Sequence, residues 1–110
     1  MEKQEMEDVY QEFKRLVNMT PAAIEKWLKT DESKKVGWDS GDGESVGHKS
    51  GKKIIDIKRK KKAELTAADY KHMQKVNGYI QRHKAQQPKG DVADSNWNYS
   101  LKNWGHDYQQ

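Results

Sequence analysis

Cysteine is absent from this sequence, phenylalanine occurs once and proline twice. Without a thiol there is no disulfide, no thiolate metal ligand and no cysteine nucleophile. Apolar residues are scarce too, at 33% against roughly 45–50% in an ordinary soluble domain. No apolar run approaches the ~20 residues that cross a bilayer, so no membrane role is expected. The opening MEKQEMEDVYQEF is acidic where a secretory signal is basic and then apolar, which argues for a cytoplasmic protein. A chain of 110 residues makes one domain with a thin core.

Charge is what the chain has in quantity: 21 Lys+Arg and 17 Asp+Glu, net +4. Its distribution is uneven. Residues 1–33 hold five basic and eight acidic side chains, whereas residues 48–62 hold eight basic ones against Asp56 alone. Such a run reads either as a solvated helix face or as a site for a polyanion that relieves the mutual repulsion.

Hydrophobic spacing predicts an all-α domain of five helices, at about 2–18, 21–30, 51–63, 66–86 and 95–103. Met6, Val9, Tyr10, Phe13, Leu16 and Val17 form the first apolar stripe. Thr20-Pro21 caps and opens the second helix, which turns Ile24, Trp27 and Leu28 inward, so 2–30 reads as a helical hairpin. Residues 31–50 carry four of the eight glycines and read as a long glycine-rich loop. Residues 51–107 then form the basic helix and the C-terminal helices. Ser50 is the expected cap of the third helix, Thr66 with Asp69 forms a capping box, and Gly105 is the expected left-handed stop of the last. The predicted core is Phe13, Leu16, Trp27, Leu28, Ile54, Met73, Val76, Ile80, Trp97, Leu101 and Trp104. Trp38 has no helix face and is either core or contact residue.

Catalytic signatures are missing. His72 and His83 lie ~16 Å apart along one helix and share no metal; with His48 and His106 they read as surface or capping residues. The stretch from Gly41 to Ser50 fails as a phosphate loop, because His48 separates Gly47 from Lys49-Ser50 and no strand precedes it. What survives is a general anion-binding helix start at Ser50 and Gly51 with Lys49, Lys52 and Lys53 around it. The sequence thus points away from an enzyme and implies no cofactor and no metal.

The stretches ESVGHKSGKKIIDI, LTAADYKHMQKVNGYIQRH and NYSLKNWGHD make residues about 20–107 resemble a small bacterial and fungal family of unknown function, family 3140, whose members are often labelled DNA-binding. The resemblance implies a compact helical domain. It also implies apolar residues where this chain has Lys58, Asn77, Lys84 and Lys102. A solubilised redesign and a divergent, more basic natural member both produce such one-sided replacement. The energetic cost of burying lysine places these four positions on the outside, with their polar ends in water.

The leading functional reading is a nucleic-acid-binding module, with DNA held through phosphates and little sequence preference, by Lys49, Lys52, Lys53, Arg59, Lys60, Lys61 and Lys62. Lys71, Lys75, Arg82 and Lys84 extend the field, and lysines act as point charges that do not read bases. Binding to DNA implies association with nucleoid or nucleus. The alternative is a protein-interaction or self-associating domain that uses positions 58, 77, 84 and 102.

Overall fold

Residues 1–37 and 44–110 are described by a computed structural model. Trp38, the glycines at 41 and 43 and their neighbours lie outside the described residues, and so does the choice between core and contact for Trp38. Six α-helices occur among the described residues: α1 Lys3–Leu16, α2 Pro21–Leu28, α3 Asp31–Lys35, α4 Val46–Arg59, α5 Ala67–Lys84 and α6 Asn96–Asn103. A 3-10 turn at Lys62–Glu64 joins α4 to α5. The all-α reading stands.

Two boundaries need correction, and both fall in the segment read as loop. Helix α3 occupies 31–35, started by Thr30, whose hydroxyl accepts from the Ser33 amide at 3.1 Å. Helix α4 begins five residues before its expected start: Ser45 accepts from the His48 amide at 3.0 Å and is the real cap. Ser50 lies inside that helix, buried, with its hydroxyl 3.0 Å from His72 Nε2. The anion-binding helix start at Ser50 and Gly51 therefore does not exist. Gly47 counts among the glycines of the expected loop, but it and Gly51 both lie within α4 and their role is packing. A β-carbon at Gly51 would come within 2.7 Å of the Asn103 carbonyl and 2.9 Å of Leu28. At this crossing α4 meets α6 and α2 too closely for any larger residue.

The expected hairpin of the first two helices is not a packing unit either. Helix α1 lies chiefly along α5, and α2 along α4. Bonds from Asn77 to the Val9 carbonyl and from Gln81 to Glu12 show α1 and α5 running in the same direction. Phe13, Leu16, Val17, Ile24, Ile54, Met73, Val76, Ile80 and Leu101 form the centre of the core. Trp97 and Trp104 are buried, while Trp27 is half-buried at the margin. The Thr66–Asp69 capping box and the left-handed Gly105, at φ 82°, are as expected.

The first two helices end under side chains sent from elsewhere. His106 Nδ1 lies 2.6 Å from the Leu16 carbonyl and His48 Nε2 lies 2.8 Å from that of Leu28, the last residues of α1 and α2. These rings donate to carbonyls that a helix end leaves unpaired. Both are buried capping residues, and neither is on the surface. Lys58 does the same for the turn between the helices, its ammonium donating to Val17 at 3.1 Å and Met19 at 2.8 Å.

Of the four polar positions expected on the outside, one is as expected and three are not. Lys84 is exposed. Lys58 is half-buried on carbonyls, and burial lowers its pKa. Asn77 is buried against α1, and Lys102 lies over the Trp27 ring at 4.6 Å. A lysine tolerates partial burial when carbonyls replace the water it loses, and an aromatic face serves Lys102 likewise.

Candidate nucleic-acid interface

Helix α4 buries Gly47, Ser50, Gly51, Ile54 and Ile57 on one side, which leaves Lys52, Lys53, Asp56 and Arg59 facing out and Lys49 at the margin. The helix stops at Arg59, so Lys60 to Lys62 leave its axis and turn toward α1 and α5. The seven basic residues singled out from sequence are therefore not one patch.

Carboxylates among the described residues hold Lys52, Arg59, Lys60 and Lys62. Lys52 pairs with Glu44 at 2.6 Å, Arg59 with Glu25 at 3.0 Å and Lys60 with Asp69 at 2.7 Å, and Lys62 pairs with Glu7 while lying 4.7 Å over the Tyr10 ring. The Lys52 bond holds the Glu44 carboxyl below the usual carboxylate range, and the Lys62 bond does the same for Glu7. Burial pushes Asp69 up, but the hydrogen bonds from Lys60 and Thr66 outweigh it and the net direction is down. Exposed pairs of this kind add little stability. Their effect on an incoming polyanion is to cancel local field. Lys53 and Lys61 have no ion pair among the described residues.

Helix α5 has the more open charge. Between Asp69 and Asp91 the sequence contains no acidic residue. Lys71, Lys75 and Arg82, four and seven positions apart, form one exposed row. Gly78 leaves room for the Arg82 guanidinium, since a β-carbon there would meet Nη1 at 3.0 Å. None of the three has an ion pair among the described residues.

Beside that row runs a second, aromatic one. His72, Tyr79 and His83 share the next edge of α5 and stack with rings of α6 and its end. Tyr79 lies on Trp104 with centroids 4.1 Å apart and planes 14° apart. His72 flanks Trp104 at 6.5 Å, and His83 continues to Trp97 at 5.7 Å. His83 and Trp97 also exchange hydrogen bonds with each other's carbonyls, at 2.8 and 2.7 Å. Burial first, then the charges of Lys53 and Lys75, push His72 down to about 4, so it is neutral at pH 7.

Two concavities flank this edge. A cleft of about 310 Å³ is walled by Trp104, Tyr79, Val46, Gly47 and Ser100, with Lys75 and Arg82 at its rim. A larger groove, about 550 Å³, lies between α4 and α5 among Lys53, Arg59 and Lys60 but also Asp56, Glu64 and Asp69. Its mixed charge suits a polyanion poorly. Among the described residues no group of His, Asp and Glu forms a metal cage.

Sequence reasoning missed the cleft. The signal that would have found it is the double row on α5, with cations at 71, 75 and 82 and rings at 72, 79 and 83.

A family model described as protein of unknown function (DUF3140) matches residues 12–102. It takes in the last turn of α1, ahead of the resembling stretch, and stops before His106. No curated protein and no solved structure matches the chain.

Proposed function

The chain belongs to the DUF3140 family of unknown function, residues 12–102 matching, and we propose that it is a non-enzymatic module that binds nucleic acid through phosphates. The observation that carries the reading is the acid-free row Lys71, Lys75 and Arg82 on α5, with Lys53 of α4 near enough to His72 to act on it together with Lys75. Cations without carboxylate partners gain most from a polyanion, because binding releases condensed counterions at no cost in broken ion pairs. Relative to the sequence-based site, the centre moves from Lys60–Lys62 toward Lys53, Lys75 and Arg82. Lys49 and Lys52 stay at its edge, while Arg59, Lys60 and Lys62 act mainly within the chain. Three lysines and one arginine favour weak sequence preference.

A fluorescence-anisotropy titration with random duplex DNA at two salt concentrations tests the reading. Affinity should fall as salt rises, with a slope of about −0.9 for each phosphate neutralised. Changing Lys71, Lys75 and Arg82 together to Gln should flatten that slope by up to about 2.7. Binding that ignores both salt and the triple variant defeats the proposal.

A further inference from the structure

Met1 is the one exposed large apolar side chain among the described residues, so a surface for another molecule has to be polar. The parallel docking of α1 on α5 lays two oppositely charged rows side by side. On α5 the row is Lys71, Lys75 and Arg82, exposed and without ion pairs among the described residues. On α1, Glu5, Asp8 and Glu12 follow at spacings of three and four along the edge beside α5, where Gln81 donates to Glu12 at 2.7 Å. Glu12 is also held by Arg15. Glu5 has no ion pair among the described residues, and Asp8 accepts a bond from Gln4 at 2.9 Å but has none either. The bonds from Asn77 to Val9 and from Gln81 to Glu12 set the register of the two helices. Counted from them at about 1.5 Å per residue, Glu5 stands within about 5 Å of the height of Lys71, and Asp8 within about 3 Å of that of Lys75. Both offsets are inside the reach of a lysine side chain.

A two-fold rotation about a line parallel to these helices keeps the height of every residue and exchanges left with right. The cationic row of each copy then lies over the acidic row of the other. We propose that this face docks a second copy of the chain about such an axis, Glu5 meeting Lys71 and Asp8 meeting Lys75 of the other copy. A two-fold across the helices instead sets cations on cations and carboxylates on carboxylates, which selects the parallel arrangement. Pairs this exposed make a weak contact that salt screens. Self-association is independent of phosphate binding, although a polyanion and a second copy compete for Lys71 and Lys75.

Sedimentation equilibrium without nucleic acid tests it, at about 20 mM and about 300 mM salt, where screening lengths are about 20 and about 6 Å. The chain should dimerise at low salt, and the dimer should weaken at least about tenfold at high salt. Reversing one row, as Glu5→Lys with Asp8→Lys or as Lys71→Glu with Lys75→Glu, should also cost at least about tenfold. All four reversals in one chain should restore the dimer at unchanged net charge, and that swapped chain should not pair with wild type. Wild type that stays monomeric at low salt up to about 1 mM overturns the proposal, and this comparison needs no variant to fold. A dimer that ignores salt overturns it too, as does a swapped chain that stays monomeric while its circular dichroism matches wild type. No nucleic acid enters the measurement, so its failure and that of the DNA titration stand apart.

Discussion

The indole N–H of Trp27 donates to the side-chain oxygen of Asn103 at 2.7 Å, joining α2 to the last residue of α6 across 76 positions. The same oxygen accepts from the Ser33 hydroxyl, and the Asn103 amide returns a bond to the Ser33 carbonyl at 3.1 Å. Asn103 is 1% exposed, so one amide serves three helices where water does not reach. Asn103→Leu keeps the volume and strands two donors and one acceptor. Stability should fall by about 2–5 kcal/mol, read from the urea midpoint at constant slope.

Gly51 and Gly90 should respond to alanine for opposite reasons. At Gly51 the backbone is ordinary helix but the space is taken by the Asn103 carbonyl and Leu28. At Gly90 nothing lies within 4 Å, yet φ is +87°. Gly51→Ala should cost about 1–3 kcal/mol through overpacking, and Gly90→Ala about 1 kcal/mol through left-handed strain. Thermal denaturation of the two variants separates them, and a larger loss at Gly90 contradicts the packing role given to Gly51.

Acid should weaken the fold well before its carboxylates titrate. Burial lowers the pKa of His106, and burial with Lys53 and Lys75 lowers that of His72 to about 4 from an unfolded value near 6.5. The unfolded chain then binds more protons between those values, so stability is fully present above pH ~6.5 and is lost as pH falls toward 4. Urea midpoints across this window should drop, and His72→Gln should reduce the drop. A midpoint that rises on acidification contradicts it.

Lys58→Met tests whether the ammonium is an anchor or a tolerated intruder. The substitution buries a better apolar chain but leaves the Val17 and Met19 carbonyls without their donor. The lost hydrogen bonds outweigh the gain, and stability should fall by about 1–3 kcal/mol. Higher stability by calorimetry would make position 58 an apolar core site.

Reversing Lys60, Lys61 and Lys62 to Glu should damage the fold as well as any binding. Two of the new carboxylates would face Asp69 and Glu7, the present partners of Lys60 and Lys62. The melting temperature of this variant should fall, whereas that of the Lys71, Lys75 and Arg82 Gln variant should not. Equal melting temperatures contradict the division of labour drawn between the two sets.

The helices were legible wherever apolar spacing and a cap agreed. Thr20-Pro21 and the Thr66–Asp69 box sit before clear stripes, and α2 and α5 begin where those residues say. Ser45 failed as a signal because glycines follow it, and a glycine's value to a helix crossing depends on what lies opposite. Leu28 and the Asn103 carbonyl are far away in sequence. The same limit hid the partners of the basic run: Glu7, Glu25 and Asp69 look no different from other surface acids until the fold brings them to Lys62, Arg59 and Lys60. The cleft was half legible, since its α5 rows are periodic, but Trp104 reaches Tyr79 only through the docking of α6.

The parallel pairing of α1 with α5 also sets an order of events during synthesis. Helix α1 has its main partner fifty residues downstream, beyond α2, α3 and α4. Its apolar stripe of Val9, Phe13 and Leu16 therefore waits without cover until α5 has left the ribosome, while α2 and α4 are free to pair before it. Closure of that long loop therefore places the enclosure of α1 after the emergence of α2, α3 and α4.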